Sequence, residues 1–246
     1  MPLQAVESQR LYRQIAEQLR GLISGGEFAT GSRLPAERDL ARQLGVSRPS
    51  VREALIALEV EGWVEVRVGS GVYIRPQPHG HGHGRTTGHA SHGHPASPAE
   101  WGPLELMRAR ELVEGEVAAL AAKRARKSQI ATMTDALARM QDDAAAGIVP
   151  RAGDEAFHEA IAVACGNEVL RDTVTGYWDA RSGPLFERMS DYFETPASWS
   201  AAIVEHEAVL DAIRAHDSQS ARDAMHHHLQ RAYSRYSASW RRANSS

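Results

Sequence analysis

Residues 34–74, LPAERDLARQLGVSRPSVREALIALEVEGWVEVRVGSGVYI, change hydrophobic period partway along, and that change restricts the folds open to them. Pro35 precedes a helical stretch from Ala36 to Leu44, which Gly45 stops. Ser47 stands where an N-cap belongs for a second helix running to about Glu61. Gly62 and Trp63 then lead into alternation: Val64, Val66 and Val68, a turn at Gly69-Ser70-Gly71, then Val72 and Ile74. Upstream, residues 10–24 set Leu11, Ile15, Leu19, Leu22 and Ile23 on one helical face, closed by Gly25 and Gly26.

Helices followed by a two-stranded wing form a winged helix-turn-helix, a device for seating one helix in the major groove of DNA. The charges agree. Arg38, Arg42, Arg48 and Arg52 fall within fifteen residues, with Asp39 the only acid between the first and the last. Arg48 and Arg52 are four apart and share the edge opposite Val51, Leu55 and Leu58. A guanidinium can fork onto guanine or hold a phosphate. Ser47 and Ser50 can bond phosphates at a helix N-terminus, where the dipole favours anions. Residues 1–78 hold ten arginines and nine acids, while the remainder holds 18 bases and 22 acids, which together give the chain its net charge of −3. Positive charge is therefore local to the reading head, not spread as in a nonspecific nucleic-acid binder.

These residues resemble the GntR family of bacterial transcriptional regulators, both in LPAERDLARQLGVSRPSVREAL and in the wing GSGVYI. The resemblance implies operator recognition by Arg38, Arg48 and Arg52, with Gly69 at the wing. The sequence departs from some relatives at Val68, where they place a polar or basic residue.

Three regions are expected: a winged domain over 1–76, a linker over 77–99 and a helical domain over 100–246. Gly, Pro, Ser and His dominate the linker, and six of the twelve histidines lie between His79 and His94. It reads as a flexible spacer, with weak binding of Zn²⁺ or Ni²⁺ as the alternative. Charging of these imidazoles below about pH 6.5 would tighten DNA binding. Beyond it, helices are expected near 103–126, 128–147, 154–165, 167–182, 199–215 and 219–240, with no strand. The fold class is mainly α, with the second domain an all-α bundle of six or seven helices. A single cysteine, Cys165, excludes an intramolecular disulfide, and no apolar run suggests a membrane span or signal peptide. A cytoplasmic location is expected.

Asp154, His158, His206 and His228 lie on apolar faces of that domain. Asp154 and His158 line up with Ile161 and Cys165, His206 with Ile203, Leu210 and Ile213, and His228 with Ala221, Met225 and Ala232. The midpoint of His206 and His228 is Asp217, inside a turn, so in a helical hairpin both sit roughly 16 Å from the bend and meet. The four could converge on one divalent ion, zinc first, nickel or manganese otherwise, with positions left for a ligand. The alternative is hydrogen-bonded core histidines. His226 and His227 rotate about 200° and 100° off that face and are expected in solvent. Arg110 sits among Leu106, Val113, Val117 and Leu120, where a charge needs a partner: Glu114 one turn on, or the carboxylate of a bound anion.

The helical domain resembles the FCD effector domain of the FadR subfamily, whose metal-binding members follow aspartate with histidines at comparable steps, here 4, 48 and 22. Within it the likeness is to hexuronate regulators of the ExuR/UxuR type, through LYRQIAEQLRGLI, GPLELMRARELVE, GDEAFHEAIAVACGN and WDAR before Pro184. The resemblance implies a metal that helps hold a carboxylate effector with Arg110 opposite, and adds Trp178 as an aromatic wall and Arg181 as a second cation. The segment after Arg181 is one residue shorter than in those relatives.

The expected function is a homodimeric, ligand-responsive repressor. It would bind a palindromic double-stranded operator and be released by a small carboxylate effector, with no membrane partner. Alternatives are a regulator that senses Zn or Ni itself, and one serving lactate, aldonate or aldarate pathways. Three histidines and an aspartate can also activate water. No further acid–base residue is placed to help, since Glu159 points about 100° away from His158, so the chain is not expected to be an enzyme.

Overall fold

The structure, a computed structural model, describes residues 10–76 and 101–238. The histidine-rich stretch expected as a linker lies outside the described residues. The chain divides into two compact units, the first reaching Gly102 and the second starting at Pro103.

The first unit contains α1 (Leu11–Ser24), α2 (Glu37–Leu44), α3 (Arg48–Val60), β1 (Val64–Arg67) and β2 (Gly71–Ile74). α1 packs on α3 through Tyr12, Ile15, Ala16, Leu19 and Ile23. Leu11 and Leu22, expected on that face, are 49% and 38% exposed. The inward line starts one residue later, at Tyr12, because a single step rotates a side chain about 100°. Gly45 ends α2 in the left-handed conformation, and the Ser47 side chain caps α3 by accepting the Ser50 N–H at 3.2 Å. β1 and β2 pair antiparallel with Val64 opposite Ile74 and Val66 opposite Val72. Gly69, at φ 77°, turns the wing in a conformation other residues resist. Glu59 accepts the Val66 N–H at 2.9 Å and so ties α3 to the wing.

The second unit has seven helices among its described residues: α4 (Pro103–Arg124), α5 (Lys127–Ala145), α6 (Arg151–Ala164), α7 (Glu168–Arg181), α8 (Pro184–Phe193), α9 (Pro196–Arg214) and α10 (Ser218–Ser237). α10 lies along α4 and α9, while α5 packs on α6 and α9. α8 was not located from sequence. It is ten residues long, with Gly183 before it and Pro184 at its first position, which in sequence mark a connection. Its buried set of Phe186, Met189, Ser190 and Phe193 nevertheless follows the helical period. α9 starts three residues earlier than expected because Thr195 caps it and Pro196 occupies its first position. α4 is also rotated slightly from expectation: Glu114 is fully inside, while Val113 and Leu120 are half-buried.

His226 departs from its expected place in solvent. It packs on α4 at Gly115, where an added Cβ would fall 2.0 Å from its ring, and its Nε2 is buried without a hydrogen-bond partner among the described residues. His227 is exposed, as expected.

Candidate functional site

In the winged unit the arginines separate into two kinds. The side chains of Arg38, Arg42 and Arg48 are 79%, 76% and 51% exposed. Arg52 is 2% exposed, against the expectation that it shares an open edge with Arg48. The cause is Glu37 at the start of α2. Its carboxylate accepts from Arg52 through Nε at 3.0 Å and Nη2 at 2.7 Å, and from Arg48 Nε at 3.1 Å. The forked pair fixes α3 against α2 and aims Arg48 outward. Ser47 and Ser50 Oγ lie 2.8 Å apart at the α3 N-terminus, and Gly69 sits at the wing tip. Glu37 went unnoticed in sequence because it precedes the arginine cluster and looks like any solvated acid at a helix start.

In the helical unit, α6 delivers Asp154 and His158, α9 delivers His206 and α10 delivers His228, and all four are buried. One ligand atom from each lies within 4.8 Å of all the others. The His206 and His228 ring centroids are 4.2 Å apart, as the hairpin geometry requires. His206 Nε2 approaches His158 Nε2 at 3.2 Å and Asp154 Oδ1 at 3.0 Å.

The outer ring nitrogens decide what the inner ones can be. His158 Nδ1 donates to Glu114, His206 Nδ1 to the Ala202 carbonyl at 2.6 Å, and His228 Nδ1 to Glu205 at 2.9 Å. Each acceptor lacks a proton, so each neutral ring carries its hydrogen on Nδ1 and turns an Nε2 lone pair inward. Burial lowers the His158 pKa against the pull of Glu114. Burial and the neighbouring imidazoles hold His228 well below the usual histidine range. Three lone pairs and Asp154 Oδ1, which has no hydrogen-bond partner, therefore face one point. Such a cluster could hold a cation at its centre, and the outer bonds would then orient its ligands. The donor set of three imidazoles and a carboxylate suits zinc, nickel or manganese.

Cations stand beside this centre. Arg110 Nε donates to Glu114 at 2.6 Å, so the local pairing foreseen for Arg110 is present. Burial pushes the Glu114 carboxyl up, but Arg110 and His158 outweigh it and bring it to about 2. Arg181 Nη1 donates to Asp154 Oδ2 at 3.3 Å. Burial also raises Asp154, and the Arg181 guanidinium beside it acts the other way, holding the acid well below the aspartate range. The guanidiniums of Arg110 and Arg181 lie 4.5 and 4.1 Å from the Trp178 ring. A cavity of about 30 Å³ opens here, lined among others by Arg110, Asp154, Arg181, Trp199, His228 and Arg235.

Trp178, expected as a wall for a ligand ring, does not line that cavity but backs the two arginines; Trp199 lines it instead. Sequence reasoning passed over Trp199, Glu205 and Arg235. Trp199 and Arg235 were detectable, since each lies seven residues from a ligand histidine on its own helix, the same face after two turns.

Two family matches accompany this geometry. Residues 105–231 match the FCD domain, and residues 11–74 match the bacterial regulatory proteins of the gntR family. The Exu regulon transcriptional regulator of Escherichia coli K12 is 34% identical, over 93% of this chain and 85% of that one. The Uxu operon transcriptional regulator of the same organism is 32% identical, over 92% of this chain and 86% of that one. A candidate L-lactate dehydrogenase operon regulatory protein, also of Escherichia coli K12, is 34% identical over 89% of this chain and 84% of its own length. Both matched domains and these relatives are transcription regulators, not enzymes.

Proposed function

The chain belongs to the GntR family of bacterial regulatory proteins, with an FCD domain as its second part, and we propose that it is a ligand-responsive repressor of genes for sugar-acid catabolism. Its operator is palindromic and it binds as a homodimer, which presents two copies of α3 to two half-sites. Arg38 and Arg48 make the outward contacts with DNA, helped by Ser47, Ser50 and the wing at Gly69. Arg52 contributes mainly by holding α3 in place through Glu37.

The observation that carries the effector side is the convergence of three Nε2 lone pairs and an orphaned carboxylate oxygen beside two buried arginines. Asp154, His158, His206 and His228 would hold a divalent ion, zinc by preference, which supplies a Lewis-acid seat for a carboxylate. Arg110, Arg181, Arg235 and the more exposed Arg231 carry four positive charges around it, against four negative charges on Glu114, Asp154, Glu194 and Glu205. The set is neutral by itself and gains two positive charges with a divalent ion in place, which favours an anionic acid as the ligand. Such an acid shifts operator affinity only through its differential affinity for DNA-competent and DNA-incompetent states.

A second reading has a specific support. One relative is named for an L-lactate dehydrogenase operon, and a three-carbon hydroxy acid carries the same carboxylate for the same anchoring groups. Fluorescence anisotropy of zinc-loaded protein on a fragment of its own upstream region tests both. Glucuronate, galacturonate and lactate are added in turn. Release by one acid, lost in Arg110→Ala and His206→Ala proteins that still bind DNA, is the expected result. No response to any acid, with a clear response to chelation alone, would replace the effector reading by metal sensing.

A further inference from the structure

The cavity has a second polar end that neither the ion nor the arginines account for. Glu194 closes α8 and Trp199 sits in the first turn of α9, and both line the cavity. Trp199 is 8% exposed, and its Nε1 is buried with no hydrogen-bond partner among the described residues. An indole nitrogen can only donate, so it waits for an acceptor. Glu194 can only accept. The hydrogen bonds it receives from Ser190 and Tyr236 both end on Oε1, which leaves Oε2 open to a further donor. The Ser198 hydroxyl also lines the cavity, but it accepts the Thr195 N–H and donates to the Thr195 carbonyl, so it is committed to that cap.

Trp178 makes the contrast. Its Nε1 is also buried and unpartnered among the described residues, but Trp178 does not line the cavity. At the Trp199 end, a donor that lacks an acceptor and an acceptor with a vacant oxygen line the same space. A hydroxyl is the small group that meets both needs, accepting from the indole and donating to the carboxylate. A water molecule could do this when no ligand is bound, and a ligand hydroxyl would take its place.

We propose that Trp199 and Glu194 form a hydroxyl-reading pair, so that the site takes hydroxylated carboxylates and rejects those carrying bare hydrocarbon. The proposal rests on the effector reading above, because the carboxylate must be anchored at the ion and Arg110 before a hydroxyl can be presented to this end. A site built to bond a hydroxyl discriminates strongly against the analogue lacking it, because its own polar groups are then left unpaired. A carboxylate with plain carbon at that position would leave both Trp199 and Glu194 unmatched.

Isothermal titration of the zinc-loaded full chain with D-glucuronate and with cyclohexanecarboxylate, a ring of similar size without hydroxyls, tests it. The expected result is a glucuronate affinity at least about 100-fold tighter. In Trp199→Phe that ratio collapses through weaker glucuronate binding alone. Glu194→Gln, which keeps the shape but adds a donor where an acceptor is needed, narrows the ratio in the same direction and serves if the Phe variant fails to fold. Equal binding of the two acids by the unaltered protein, or an equal loss for both in Trp199→Phe, would overturn the hydroxyl-reading pair and leave the carboxylate site standing. Binding of neither acid would remove the sugar-acid reading and this pair with it.

Discussion

The winged unit leaves the side chains of Arg38, Arg42 and Arg48 at least half exposed, whereas the helical unit encloses those of Arg110 and Arg181 at 2% and 9% exposure. The same residue type meets opposite physics in the two places. On the reading head a guanidinium stays hydrated and screened, so it contributes little to stability and can exchange water for phosphate at small cost. In the bundle a guanidinium must have its carboxylate, and Glu114 and Asp154 are that requirement made visible. Arg52 crosses the divide: it lies in the reading head but is buried and forked onto Glu37 like a bundle arginine. The lesson is that exposure, more than proximity to the expected function, separates arginines that can bind from arginines that position.

The largest test of that contrast is Glu114→Ala. It leaves Arg110 buried without its carboxylate and should cost about 3–5 kcal/mol in the helical unit. Chemical denaturation reads it, and a loss under about 1 kcal/mol would mean that Arg110 finds water or another partner and the contrast is false. Next in size is Glu205→Ala, which removes the acceptor of His228 Nδ1–H while keeping every ion-ligating atom. Zinc affinity should fall about 10–100-fold in competition with a chromophoric chelator, with the fold retained. Unchanged affinity would detach the outer shell from the metal reading.

Arg38→Ala probes the other side of the comparison. Its guanidinium is in solvent, so the melting temperature should hold, while operator affinity falls about tenfold to a hundredfold. If the altered contact is to a phosphate, the salt slope also drops by about one. A lower melting temperature with unaltered DNA binding would reverse the roles assigned to exposed and buried arginines.

The smallest effect concerns Asp217, the N-cap of α10, which accepts from the Gln219 and Ser220 backbone. The backbone N–H of Ser220 heads the causes that lower its pKa, so the charged form is favoured in the folded state. Its contribution is therefore complete above the ordinary aspartate range and is lost as pH falls through the lowered folded value. Asp217→Asn keeps the cap and loses that pH dependence, while Asp217→Ala should lower the melting temperature by a few degrees at neutral pH. Calorimetry of the two variants across pH 2 to 7 separates cap from charge. Parallel profiles for Asp217→Asn and the unaltered protein would show that the charge contributes nothing.

Much of the site was legible beforehand because its signals are local. Asp154 and His158 are one turn apart on one helix. His206 and His228 are symmetric about the Asp217 turn, and helix geometry alone brings their rings to 4.2 Å. The wing followed from the change of period at Trp63, and Ser47 from the cap rule. The failures share a cause as well. The inward line of α4 lies slightly off the expected one because Leu, Val and Ala occur on more than one of its faces. α8 is short and begins in Gly-Pro, so its apolar period was overridden by its punctuation.

The chain's own pattern of residues determined which helices form, which of their faces turn inward and where an aspartate and three histidines would gather. Each of those depends on spacing along one helix or across one turn. The tertiary structure alone decided the partners: Glu37 closing over Arg52, Glu114 reaching from Arg110 to His158, Trp199 rather than Trp178 lining the cavity, and His226 seated on Gly115. Those contacts join different helices. The free energy of burying a charge or a ring depends on what the other helix presents, and no period within one helix encodes that.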